Sequence, residues 1–153
     1  MRKQGWCWTG VLLAACGGSS APVQPARSAT TAVQSFMQAV ADSNLTKMAG
    51  LWGTANGPAA KTKQPPDYER RIAIMQAYLR SDGFRVTSDI AEGENRRALQ
   101  VELRRQTCTW SVPFVTVRTG DGSWLVTSVD LAAAGNPARP CIQDSPGDSL
   151  PKR

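Results

Sequence analysis

Apolar residues recur along this chain in two rhythms, and the change from one to the other divides it. After a basic pair, Arg2 and Lys3, a short apolar run over residues 5–13 carries Trp6, Val11, Leu12 and Leu13. That run is too short to span a bilayer, which takes about 20 apolar residues, and it reads as a secretory leader. Residues 17–28 are mostly Gly, Ser, Pro and Ala, a composition that buries little and behaves as a flexible tether. Val33, Phe36, Met37 and Val40 then fall at helical spacing, with Thr31 and Gln34 matching a capping box. Asp42, Ser43 and Asn44 interrupt this helix and cap a short second one, in which Leu45, Met48, Leu51 and Trp52 point one way. Residues 53–66, with Gly57, Pro58, Pro65 and Pro66, read as a long loop. Asp67 is the expected cap of a helix over residues 67–81, with Ile72, Met75, Tyr78 and Leu79 on its apolar face and Gly83 as its C-terminal cap.

The period then drops to two. Phe84, Val86 and Ile90 mark a first strand, and Glu92 to Asn95 a turn. Leu99, Val101 and Leu103 alternate with Gln100, Glu102 and Arg104, as in a strand with one wet face. Cys108, Trp110 and Val112 begin a third strand, with a bulge or edge position expected at Pro113. Thr119, Gly120, Asp121 and Gly122 form a hairpin turn into a last strand over residues 124–131. Helices followed by a meander of about four strands predict an α+β fold with the helices on one face of a curved antiparallel sheet.

The leader ends in Leu13, Ala14, Ala15 and Cys16, which resembles the lipobox of bacterial lipoproteins. The resemblance implies cleavage before Cys16, a diacylglycerol on its thiol, and a mature protein held on the lipid bilayer through acylated Cys16. Gly17 stands where enteric lipoproteins retained in the inner membrane carry an aspartate. The implied address is the cell envelope, on an outer membrane facing the periplasm. The chain then divides into a signal peptide (1–15), a tether (16–28), one domain (29–131) and a Pro/Gly-rich tail (132–153).

Charge and cysteines narrow the chemistry. The formal net charge of +6 falls with the loss of Arg2 and Lys3, and the remaining basic residues are scattered rather than clustered with aromatics, so no nucleic-acid partner is expected. A small positive excess serves solubility, or attraction to anionic lipid head groups. With no histidine in the chain, the commonest general base and metal ligand is missing. Cys7 leaves with the leader, and Cys108 and Cys141 remain besides Cys16. Two thiols do not make a zinc site, and no metal or cofactor is expected. In an oxidising compartment they read as a disulfide pinning the tail; the alternatives are unpaired thiols or an intermolecular bridge.

The helix around Phe36, the break at Asp42 leading to Leu51 and Trp52, and the hairpin Asp121, Gly122, Ser123, Trp124 together resemble the NTF2-like (cystatin-like, SnoaL-like) superfamily over residues 29–131. The resemblance implies a cone in which a bent sheet wraps the helices around a pocket. Phe36, Trp52, Tyr78, Trp110, Phe114 and Trp124 are the candidate lining of such a pocket for a small apolar ligand, although aromatics in this number also suit ordinary core packing. Enzymes of the superfamily use a pocket acid or base, for which Asp42, Tyr78, Asp89 and Asp130 are the candidates here. None sits in a motif that carries a role. Arg96, Arg104 and Arg118 would form a basic strip across the sheet for phosphates or carboxylates, or an ordinary solvated face. The expected function is a membrane-anchored, non-catalytic domain that binds a small apolar ligand or an envelope protein. The competing readings are an isomerase or hydrolase using a buried carboxylate, and a structural accessory subunit of an envelope complex.

Overall fold

The computed structural model describes residues 23–139 and 141. The leader, Cys16 and its acylation, and the tail beyond Cys141 lie outside the described residues. The chain runs α1 (Ala29–Ala41), α2 (Leu45–Leu51), β1 (Gly53–Thr54), β2 (Gly57–Pro58), α3 (Ala59–Thr62), α4 (Tyr68–Leu79), β3 (Gly83–Ala91), β4 (Arg96–Arg105), β5 (Cys108–Arg118) and β6 (Trp124–Val129). The last four strands form an antiparallel meander in the order β3-β4-β5-β6, and α1 packs against β3, β5 and β6. This is the expected α+β arrangement.

The cap of α1 lies three residues before Thr31: the Ser28 side chain accepts the Thr31 amide at 3.1 Å. Helix α1 starts early because Ala29 can be buried there, extending the stripe of Ala32, Val33, Phe36, Met37 and Val40. Ser43, at φ 52°, reverses the chain, and the Asn44 side chain caps α2 by accepting the Lys47 amide at 2.9 Å. Leu45 does not join the apolar face of α2; it is exposed, while Met48, Ala49 and Leu51 are buried. The expected loop over residues 53–66 is instead structured. Gly53 pairs with Pro58 and Thr54 with Gly57, and α3 follows at once. A Cβ on Gly53 would stand 2.3 Å from the Gly57 carbonyl oxygen, so this miniature hairpin closes only because residue 53 has no side chain.

Asp67 precedes α4 without making a side-chain capping bond. Its carboxylate turns to Arg71 at 3.0 Å, and that hydrogen bond holds its pKa below the usual carboxylate value. Nor does Gly83 cap the helix: Arg80 does, and Gly83 opens β3 opposite Arg104.

The inward row of the sheet is Leu99, Val101 and Leu103 on β4, Val112, Phe114 and Thr116 on β5, and Val126 on β6, all buried. Ile90 departs from expectation. Val86 pairs with Val101 but Ser88 with Gln100, so Thr87 is an extra residue that shifts the alternation by one. Asp89, opposite inward Leu99, takes the inner side, and Ile90 is turned out at 62% exposure. Pro113 introduces no bulge against β4, where the register is unbroken. Its missing N–H falls where β6 has ended, and its carbonyl accepts the Asp130 amide at 3.0 Å. The last strand therefore stops at Val129, short of Leu131.

Candidate functional site

The tether was expected to run to residue 28, but its last part belongs to the fold. Ala26 is buried and bridges to Trp124, whose amide donates to the Ala26 carbonyl at 2.9 Å. Val23 packs on the core and lies 3.1 Å from where a Cβ on Gly50 would stand. Together with the β5–β6 turn, the end of α2 and the β1–β2 turn, this segment encloses a cleft of about 410 Å³. Its apolar walls are Val23, Pro25, Leu51, Pro58, Trp124 and Leu125. At the rim Asp121 accepts from the Thr119 hydroxyl and from the Ser123 amide; these bonds, the hydroxyl foremost, hold its pKa below the usual carboxylate value. The rim is therefore charged while the floor is apolar.

The six aromatics proposed as one pocket do not share it. Phe36 and Phe114 are fully buried and meet edge to face, with ring centroids 6.4 Å apart at 72°. Trp52 is buried as the residue after α2, bridging in parallel to Val126. These three fill the core because the sheet and α1 approach closely enough to exclude anything between them. Tyr78 is half-buried, off the stripe of Tyr68, Ile72, Met75 and Leu79 that α4 buries. Trp124 lines the cleft just described, and Trp110 lines another, near Cys141.

That other cleft holds about 460 Å³. Beside it the structure joins Cys108 to Cys141, with Cα atoms 5.9 Å apart. Arg105 organises this end. Its Nε donates to the Arg80 carbonyl at 2.8 Å, and its Nη2 to the carbonyls of Tyr78 and, at 2.7 Å, Ala134. Its guanidinium also lies 4.8 Å from the centre of the Trp110 ring. The side chain thus satisfies carbonyls left open at the end of α4 and opposes the negative end of the helix dipole. Burial draws its pKa below the ordinary arginine value, yet it stays charged. Arg105→Ala is expected to destabilise the fold by about 2 to 3 kcal/mol, the scale of charge-assisted hydrogen bonds lost from partly buried carbonyls. Arg105→Lys should recover only part, since an ammonium cannot fork. Urea unfolding of the three proteins checks this, and a lysine variant as stable as the parent would contradict it.

The candidate carboxylates are committed elsewhere. Asp42 accepts from Gln38 at 2.9 Å on the surface. Asp130 closes a turn by accepting the Ala132 amide at 3.0 Å. Asp89 is the most enclosed, its side chain 25% exposed, and it is ion-paired with Arg97 and accepts the Thr30 hydroxyl at 2.7 Å, tying α1 to β3. Arg96 and Arg104 do not make a strip with Arg118: they stand at opposite ends of β4, roughly 26 Å apart at the strand rise, and Arg96 is paired with Glu92 at 3.0 Å.

The inward side of β4 continues past its apolar residues into an arginine at each end, Arg97 and Arg105. Sequence reasoning passed over both, though the alternation that marked Leu99, Val101 and Leu103 already assigned them to that face. No comparable signal marked residues 23–26, where Val23, Pro25 and Ala26 matter only once Trp124 is beside them.

No family model matches the chain, and no curated protein does. Among solved structures it is similar to an NTF-2-like protein of unknown function from Shewanella oneidensis MR-1, at 15% identity over 65% of this chain and 92% of that one, with a TM-score of 0.37.

Proposed function

We propose that the protein is a membrane-anchored envelope lipoprotein whose NTF2-like domain is non-catalytic and holds a small apolar ligand. The observation that carries the ligand reading is the cleft closed by residues 23–26 over Trp124, at about 410 Å³ within the range of roughly 300–1,000 Å³ typical of small-molecule sites. The NTF2-like assignment rests on the order of elements, helices first and then a four-stranded meander. The non-catalytic reading is supported by the carboxylates, each already engaged in a turn, a surface bond or an ion pair.

Docking of residues 23–26 also shortens the tether. From Cys16 to Val23 the chain can reach at most about 25 Å fully extended, and about 15 Å as a coil. An anchored molecule would therefore keep this cleft close to the bilayer, where apolar ligands are concentrated. Cys16→Ala is expected to move the protein from membrane to soluble fractions. Retention in the membrane fraction would remove the anchor from this account. For the ligand, the full chain is expected to gain thermal stability with members of a panel of uncharged lipids and aromatic compounds, and to lose that gain in Trp124→Ala. A flat response across the panel would remove the apolar ligand.

A further inference from the structure

We infer that the cleft beside the disulfide is a second binding site, for a small molecule with an oxyanion head group, a carboxylate or a phosphate. Among the described residues, three arginines, Arg80, Arg105 and Arg139, line it against one acidic residue, Asp82. That carboxylate is occupied, accepting the Gln106 amide at 2.7 Å. Arg105 is occupied too, by the carbonyls of Tyr78, Arg80 and Ala134. Its role toward a ligand is indirect: it covers the negative end of α4, which would otherwise repel an anion. Arg80 and Arg139 differ. Among the described residues the ion pairs are made by Arg71, Arg85, Arg96 and Arg97, and the side chains of Arg80 and Arg139 have no partner.

Unpaired guanidinium groups on the wall of a concavity concentrate positive potential there, and their forked donors match the two oxygens of a carboxylate or phosphate. At about 460 Å³ the cleft exceeds what a bare inorganic ion fills, so the head group would bring a body to lie beside Trp110. The site also depends on a covalent bond. Pro137, Ala138, Arg139 and Cys141 form one wall, carried on a strap whose Gly135 sits so close to Trp110 that a Cβ there would stand 2.5 Å from Nε1. The Cys108–Cys141 bond fixes the far end of that strap. None of these residues belongs to the Trp124 cleft, so the two sites stand or fall separately.

The test uses the full chain with its disulfide intact, in a low-salt buffer free of phosphate. Citrate and inorganic pyrophosphate are titrated in separate calorimetric arms, with the indole resonance of Trp110 and the amide of Gln106 followed by NMR. Saturable binding is expected in at least one arm, moving Trp110 and Gln106 but not Trp124. The Arg80→Ala/Arg139→Ala double variant should bind at least tenfold more weakly, and Cys108→Ser/Cys141→Ser should also lose affinity. Arg85→Ala, on the outer face with Glu102, should not. A further arm with phosphatidylglycerol vesicles separates lipid head groups from free anions: binding displaced by citrate assigns the same cleft to the head group. Absence of saturable binding in both small-anion arms, or equal affinity in the Arg80/Arg139 double variant, would overturn the proposal.

Discussion

Phe114→Ala is expected to cost about 3 to 5 kcal/mol, the range for truncating a fully buried aromatic. The side chain has no exposure, stands at the middle of the sheet between Leu99 and Val129, and meets Phe36 of α1 edge to face. Its removal deletes apolar burial, the ring–ring contact and the filling between helix and sheet at one point, so little collapse can compensate. Domains of this size have about 5 to 15 kcal/mol in total, and the variant should unfold at much lower urea with an unchanged slope. A loss below about 1 kcal/mol would mean that α1 and the sheet are not packed as described.

Replacing Cys141 with serine is expected to cost about 3 to 4 kcal/mol, the chain-entropy value for a loop spanning a separation of 33 residues. The structural loss should be local. Ala134 is fully buried and its carbonyl is held by Arg105 at 2.7 Å, so release should begin after it. Hydrogen exchange is expected to rise over residues 135–141 and to stay slow at residues 130–134. The parent's intact mass under non-reducing conditions should be two hydrogens below its reduced mass. Equal masses would contradict the bridge.

The contrast between these two places in the sheet shows what was legible in the sequence. Alternation alone placed Leu99, Val101 and Leu103 on one face, because each strand's side-chain period is fixed by backbone geometry. It failed at Ile90, because a single extra residue at Thr87 inverts the faces beyond it, and nothing in that threonine announces a bulge. The helices were legible from their apolar spacing, whereas the cap moved to Ser28 and Asp67 turned to Arg71, since several polar residues compete for such roles and neighbours decide. The aromatic set was right as a list of large apolar side chains and wrong as a place. Whether a helix and a sheet leave a cavity or close on one depends on sub-ångström approach, which no residue pattern encodes. The cleft at Trp124 required residues 23–26, whose composition reads as linker until a strand edge is available to receive them.

The central claim, that this cleft holds an apolar ligand, is tested most directly with a neutral probe that the arginine cleft has no reason to bind. The full chain is titrated with N-phenyl-1-naphthylamine while energy transfer from its tryptophans is recorded. The expected result is saturable binding of one probe per chain, with transfer that falls to background in Trp124→Ala and is unchanged in Arg80→Ala/Arg139→Ala. Non-saturable uptake, or saturable binding that Trp124→Ala leaves intact, would contradict it.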